Sequence, residues 1–590
     1  METQSANAKI VTKLMFRLLP VQVVLAAVTA VSGLVSSFFA SNFIGVNAMS
    51  AVGLYSPVNM LLTAISLMLS SGATVCVGKY LGRNQHDRMQ NVFSLSLVLC
   101  VLIGCVFTVL FLLLGLFDLT GFLTRDEAVR PLLDSYFLGQ AVGVLPLLLG
   151  SQLMAYLSLE NQGRMTLAAS LTYIFVNLVL DILFVRVLHM GTFGLALASA
   201  LGLWAMLGAG SWRYITGRSE LRFTVKHIEW RETGSIVSIG ISGALSNAYQ
   251  TARGLIVNHL ILLYVGSVGV SAFAAADNLL RIFWAIPTGM VVVSRMLISV
   301  SIGEEDRRSV TDVMRVMLMR YVPLMACVSA LIILCAVPLT RLFFRDPSDP
   351  VYGMTIWGLR ILPLCMPLSV ICMHFTTYGD AANKNGLVHM LSLLDGVVCV
   401  AGFAALLLPA VGMNSVYLAN VLNGVVTTLV VIGWAWVWQK RFPRDTEELL
   451  MLPDDFGVSL EERMDITVKT MEEVVTIAHT VQGFCRERGI DERRALLSGL
   501  ALEEMAGNVV AHGFVKDNKS HTVDVRVVHK GKDVILRLKD DCVPFDPGAR
   551  KALADPADPT KNIGIRMVFR LAKDVQYQSI LGLNVLTMRI

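Results

Sequence analysis

Apolar runs long enough to cross a bilayer recur from about Val11 to Trp438 and then stop, and no water-soluble fold can bury that many of them. The chain must therefore be solvated largely by lipid. Its 55% hydrophobic content and mean hydropathy of +0.63 agree, both far above an ordinary globular domain. From about Asp454 to Ile590 the charge density returns to that of a cytosolic domain, so the chain divides into a membrane part and a soluble part.

Breaks at charged, glycine and proline residues divide the membrane part into twelve expected helices, starting near residues 14, 51, 91, 132, 165, 192, 234, 270, 312, 350, 386 and 412. The first follows Lys9, Lys13 and Arg17 and lacks a small-residue cleavage site, so a retained span is expected. Alternate loops and the two flanks carry Lys79, Arg83, Arg88, Arg164, Arg213, Arg218, Arg222, Lys226, Arg231, Arg307, Arg308, Lys384, Lys440, Arg441 and Arg444. The opposite loops carry only Arg125, Arg130, Arg186, Arg341 and Arg345. The positive-inside rule then places both termini in the cytoplasm of a multi-pass plasma-membrane protein. The formal charge of +5 is accounted for by these loops and gives no case for nucleic acid. The ten cysteines have no paired CxxC spacing and mostly sit in apolar segments, so neither disulfides nor a cysteine-held metal is expected.

The two halves of the membrane part match at one offset. Gly45 and Gly266, Ser50 and Ser271, Ala51 and Ala272, Gly82 and Gly303, Phe122 and Phe343, and Pro146 and Pro367 are each 221 positions apart. Two six-helix repeats, about 10–215 and 230–440, are expected. An even number of spans per repeat leaves the halves parallel in topology around a central cleft, an arrangement suited to alternating access. Within the spans, Asp181 stands one turn from Asn177, and a mid-span carboxylate is costly unless it faces a cavity or a partner. It is a candidate proton or cation site, with an interhelix hydrogen bond as the alternative. Asp277 and Arg281 are four apart and read as an intrahelical ion pair or as a functional group; Arg295, His259 and Asp395 are further polar intramembrane candidates.

The stretches "AVGLYSPVNMLLTAISLMLSSGATVCVGKYLGRNQHD" and "NQGRMTLAASLTYIFVNLVLDILFVRVLHMGTFGLALASA" resemble the MATE multidrug and toxic compound extrusion transporters. The likeness covers about residues 10–440 and is most specific at Gly163, Asn177, Asp181, Gly191 and Gly194. It implies efflux of small, amphipathic, often cationic organic compounds coupled to a proton or Na⁺. Two positions depart from the family pattern: Ser36 and Ser37 stand where many members carry an acid, and Gln250 stands near a position some members fill with Glu.

The soluble part reads as an α+β sandwich, with helices on one face of a mixed sheet. Strands are expected at 464–469, 522–528, 533–540 and 584–590, and helices from about Met471, from Asp491 to His512, and from about Ile563. Glu504, Asn508 and His512 recur at every fourth residue, on one helix face.

The order of Glu504-x3-Asn508, "DDCVPFDP", "NIGIRMV" and "NVLTMRI" resembles the GHKL ATPase fold, in particular its anti-sigma-factor serine-kinase branch, over about residues 460–590. The resemblance implies that Asn508 coordinates Mg²⁺ on the phosphates of ATP and that Glu504 is the general base. It also implies that Asp540 accepts from the adenine amino group with Thr587 nearby, and that Gly564 belongs to the phosphate lid. An amide oxygen is a hard neutral Mg²⁺ ligand, and a carboxylate one turn away can orient a nucleophile. Cys542 replaces the glycine usual two residues after the adenine Asp, and Lys561 and Asn562 precede Gly564 where the lid is usually glycine-rich. Lys561 is then a candidate phosphate contact.

The expected organisation is a transporter domain over 1–442, a linker over 443–456 and a cytoplasmic ATPase-like domain over 457–590. No GxxxxGK[ST] loop is present, so an ATP-driven pump of that kind is not expected. The expected function is secondary efflux regulated by the nucleotide-binding module, which is a candidate serine protein kinase acting on a partner of the anti-sigma-antagonist type. The alternative is a membrane-anchored, ligand-sensing serine kinase whose helices no longer transport.

Overall fold

In the computed structural model, the described residues are all except 1–10, 28–38, 40–42, 45, 84, 123–126, 161, 220, 225–227, 342–347, 349, 454–455, 459, 515–520, 549–562 and 581–582. Two units emerge. One comprises Met15–Glu304 and Val313–Met451; the other comprises Met1–Leu14, Glu305–Asp312 and Leu452–Ile590.

The first unit is helical. Among the described residues, ten helices are long and apolar enough to cross a membrane, from Ser50–Gly82 to Asn414–Gln439. Their starts fall within five residues of the expected ones, because loop charges and helix-breaking residues mark both. The seventh expected span is the helix Glu232–Tyr264, 33 residues long. Ser246, Asn247, Gln250, Arg253, Asn258 and His259 keep it below the hydropathy of the ten. The first is described as helix only over 11–27.

The repeat is visible in the packing. A Cβ on Gly82 would lie 2.3 Å from the Val300 carbonyl oxygen, and one on Gly303 would lie 2.2 Å from that of Lys79. Lys79 and Val300 are themselves 221 apart, so the two contacts mirror one another across the crossing of helices Val46–Gly82 and Ser267–Gly303. Gly78 completes the pattern: its Cβ would meet Ser299, its own counterpart, at 2.3 Å. Only glycine lets two helix backbones approach this closely, as in other membrane helix pairs.

The second unit holds a five-stranded sheet with strand order β1-β2-β3-β5-β4, where β1 is Arg463–Val468, β2 Val523–Lys530, β3 Asp533–Asp540, β4 Asp574–Ile580 and β5 Leu583–Arg589. All four pairings are antiparallel, so the expected mixed sheet is corrected, and β4 is a fifth strand beyond the four expected. β4 lies at an edge and carries "DVQYQSI", too polar for a clear strand signal. Val523, Val525, Val527, Leu536 and Leu538 form one face of the sheet and pack with the helices Met471–Glu487, capped by a Thr470–Glu473 capping box, and Glu492–Asn508, capped by Asp491. The α-helix ends at Asn508 and continues as a π-turn, Val509–Gly513, which carries the exposed His512 off the register of Glu504 and Asn508.

The other sheet face carries Asp465, Asp524, Arg526 and Lys539, alternating with the apolar set. Segment Glu305–Asp312 covers it. Asp306 Oδ2 lies 2.6 Å from Arg526 Nη1 and 3.5 Å from Lys539 Nζ; Arg526 Nε donates to Asp465 Oδ1 at 2.6 Å. Ser309 donates to Asp306 through its backbone N–H and its hydroxyl. Burial alone would raise the Asp306 carboxyl, but Arg526, Lys539 and Ser309 hold it well below the usual carboxylate range.

Candidate functional site

Among the described residues of the membrane unit, Asp181 is a buried carboxylate with neither oxygen partnered. Asn177 and Asp181 end the helix Gly163–Asp181, which passes into a π-helical segment, Ile182–Val187. Asn177 is buried and donates from Nδ2 to Ser199 Oγ at 3.3 Å; Gly202, on the same neighbouring helix, admits Asn177 and Tyr173, since its Cβ would meet them at 3.2 and 3.0 Å. Asp181 is 0% exposed, and both its carboxylate oxygens lack a hydrogen-bond partner among the described residues. Tyr136 is within electrostatic range of it. A buried carboxylate in this condition is stable only when protonated or when a cation or water reaches it.

The other intramembrane candidates sit apart. Asp277 is half-exposed and held by Arg281 of the same helix at 3.1 Å, so the ion-pair reading describes its geometry. Gln250 is exposed and reaches Ser246 at 3.4 Å, and His259 is exposed. Asp395 differs from Asp181 in having a partner: Asn423 Nδ2 donates to its Oδ1 at 2.8 Å. Arg295 and Asp380 are within electrostatic range of each other, an interaction that sequence spacing of 85 residues gave no means of finding. Ser36 and Ser37 lie outside the described residues.

In the soluble unit, Glu504 and Asn508 lie one turn apart on the helix Glu492–Asn508. Gly564, second residue of the helix Ile563–Leu571, is set directly against the Glu504 carboxylate: a Cβ there would fall 1.9 Å from Glu504 Oε2. The N-terminal end of a helix favours a carboxylate, and glycine permits the close approach. Asp540 ends β3 and is buried. Its Oδ1 accepts from Asn584 Nδ2 at 2.7 Å and from the Cys542 backbone N–H at 3.0 Å. Behind Asn584, Tyr577 of β4 donates to its Oδ1 at 2.9 Å, and the Phe545 N–H donates to that tyrosine. Burial pushes the Asp540 carboxyl up, and the Asn584 and Cys542 donors oppose that rise.

Asn584, not Thr587, is therefore the β5 residue that backs Asp540. The register pairs Asp540 with Asn584 and Arg537 with Thr587, which puts Thr587 three residues along the strand, where Arg537 approaches its hydroxyl at 3.4 Å. Lys561 lies outside the described residues. Cys542 is buried and turned toward Gly513, whose missing side chain makes room for it: a Cβ on Gly513 would lie 3.2 Å from Cys542 Sγ. The residues present thus fit a purine nucleotide: a buried, firmly oriented carboxylate for an amino donor, and a glycine-cradled carboxylate beside the Asn508 amide.

Comparison with known proteins agrees with this division. The MatE family profile matches residues 22–183 and again 243–404. The chain belongs to the MatE family of transporters. The two matches are displaced by the same 221 positions that relate Gly82 to Gly303. A histidine kinase-like ATPase domain matches residues 467–590, so this MATE chain carries a C-terminal domain of that kind. Multidrug export protein MepA of Staphylococcus haemolyticus is 20% identical over 375 residues, covering 63% of this chain and 82% of that protein. Probable multidrug resistance protein YpnP of Bacillus subtilis is 23% identical over 276 residues, 46% and 61% of the two chains. Among solved structures, an outward-facing multidrug resistance MATE family transporter superimposes with a TM-score of 0.66 at 20% identity, covering 73% of this chain and 96% of that one. A MOP superfamily transporter from Pyrococcus furiosus gives 0.66 and 20%, covering 75% and 97%. These structural likenesses concern the fold.

Proposed function

We propose that this MATE chain is a cation-coupled secondary exporter of small, amphipathic organic compounds in the plasma membrane, with both termini cytoplasmic, and that ATP with Mg²⁺ bound at its C-terminal domain regulates it. The observation that carries the export reading is Asp181, fully buried with both oxygens unpartnered among the described residues, one turn from Asn177. Such a carboxylate takes up a proton or Na⁺ when a route opens and releases it when its surroundings change. That is the requirement for coupling an ion gradient to substrate movement. The names of the matched relatives, a multidrug export protein and a probable multidrug resistance protein, support organic compounds as the substrate class.

Regulation is supported by Asp540, Asn584, Glu504, Asn508 and Gly564, and by the grouping of Glu305–Asp312 with the ATPase domain although that segment joins two membrane helices in the chain. The role of the ATPase domain as a serine kinase toward a partner of anti-sigma-antagonist type rests on Glu504 as base and Asn508 as the ligand through which Mg²⁺ is held.

The test is efflux of a fluorescent organic cation from proteoliposomes carrying an imposed proton or Na⁺ gradient. Gradient-dependent efflux that Asp181→Asn abolishes, with the variant still folded, is the expected result. Substrate binding without gradient-dependent flux in the wild type would replace the exporter with a ligand sensor.

A further inference from the structure

The β2–β3 register brings His521 and Asp541, to which the ATPase reading gives no role, beside Cys542, whose backbone N–H and thiol also reach Asp540. Val523 pairs with Asp540, so two residues farther out His521 stands across from Cys542, with Asp541 beside it. The ligand atoms of His521, Asp541 and Cys542 all lie within 4.8 Å of one another. His521 Nδ1 and Asp541 Oδ1 are 2.7 Å apart, and the His521 side chain is 1% exposed. An imidazole hydrogen-bonded to a carboxylate is ordinary in a protein interior. A thiol converging on the same point is what turns the pair into a chelating set.

We propose that His521, Asp541 and Cys542 form a binding site for a thiophilic divalent cation of the Zn²⁺ class, with three protein ligands and a fourth position left open. Nitrogen, oxygen and sulfur donors are the set that Zn²⁺ accepts at about 2.0 to 2.3 Å. Closing around an ion separates the imidazole and carboxylate from hydrogen-bond distance to the edge of a tetrahedron, about 3.3 Å, a shift of a few tenths of an ångström. The thiol proton leaves to solvent as the thiolate–metal bond forms, and the imidazole keeps its one proton on the nitrogen that is not ligated. Lys13 Nζ holds the other Asp541 oxygen, Oδ2, at 2.5 Å, which leaves Oδ1 for the ion. Gly513 provides the space for Cys542, and the Phe514 ring packs 5.7 Å from that of His521, both fixing the donors from behind. A hard cation such as Mg²⁺ gains nothing from the thiolate, so this site is chemically separate from one built on the Asn508 amide.

The experiment is titration of metal-free, nucleotide-free full-length protein in detergent with Co²⁺, followed by displacement with Zn²⁺. The expected result is one Co²⁺ bound with a thiolate-to-metal charge-transfer band that Zn²⁺ abolishes and equimolar Mg²⁺ does not. Cys542→Ser is expected to lose the band, and His521→Gln to weaken binding at least tenfold; melting of each variant checks folding independently. If Cys542→Ser does not fold, His521→Gln and Asp541→Asn read the same loss of affinity. No saturable Co²⁺ binding, or a charge-transfer band unchanged in folded Cys542→Ser, would overturn the proposal.

Discussion

Gly82 and Gly303, 221 positions apart, pack reciprocally: each lies under the carbonyl of the other's repeat, Val300 for Gly82 and Lys79 for Gly303. Because the contacts mirror one another, substitution at either is expected to cost about the same. Gly82→Ala and Gly303→Ala each force a methyl into backbone and are predicted to destabilise by about 1–3 kcal/mol. Gly433→Ala is the control, since nothing among the described residues lies within 4 Å of a Cβ there. Thermal unfolding in detergent measures this; a neutral Gly303→Ala would mean that the crossing is looser than described.

The Asp306–Arg526 pair predicts strong coupling. Removing Asp306 leaves Arg526 buried with Asp465 as its remaining close carboxylate partner. A double-mutant cycle with Asp306→Ala and Arg526→Ala, read by unfolding of the full chain, is expected to give a coupling of about 1–3 kcal/mol. Additive effects of the two substitutions would contradict the pairing.

Asp524 predicts an unusual pH dependence. Burial pushes its carboxyl up to about 6, above its unfolded value, although Arg526, Lys539 and Arg308 oppose the rise. Between the unfolded and folded values the native state binds more protons, so this group's contribution to stability falls as pH rises from about 4 to 6. Asp524→Asn is therefore expected to stabilise at pH 7, on the order of 1 kcal/mol, and to gain little at pH 4.5. An equal melting shift at both pH values would contradict the burial of that charge.

Gly564 predicts a separation of stability from chemistry. A methyl there displaces only the flexible end of Glu504, so Gly564→Ala is expected to change stability by under about 1 kcal/mol. Turnover of ATP by the full chain is expected to fall about tenfold or more in Gly564→Ala and in Glu504→Gln, with nucleotide binding retained in both. A wild type that binds ATP without turning it over would contradict the role given to Glu504.

Much of this architecture is written locally. The spans are legible because lipid demands long apolar runs, and the repeat because two helices that cross backbone to backbone need glycine at the same position in each copy. Asp181 is legible because a carboxylate has few reasons to lie in an apolar helix. What depends on strand register is not legible. Asn584 supports Asp540, and His521 meets Cys542, only because antiparallel strands align them. The same holds for β4, a polar edge strand whose Tyr577 reaches the site through a hydrogen bond rather than a sequence signal. The burial of Asp306 could not be foreseen either, since its partners Arg526 and Lys539 lie more than 200 residues away.

Nucleotide occupancy at the C-terminal domain is proposed to set the rate of transport. This is tested most directly by efflux from proteoliposomes at a fixed ion gradient, with and without Mg²⁺–ATP on the side of that domain. A coupling of about 1–3 kcal/mol corresponds to a rate change of roughly five-fold or more in the wild type, lost in Asn508→Ala while that variant keeps its nucleotide-free rate. Equal rates with and without Mg²⁺–ATP in the wild type, or an undiminished response in Asn508→Ala, would contradict it.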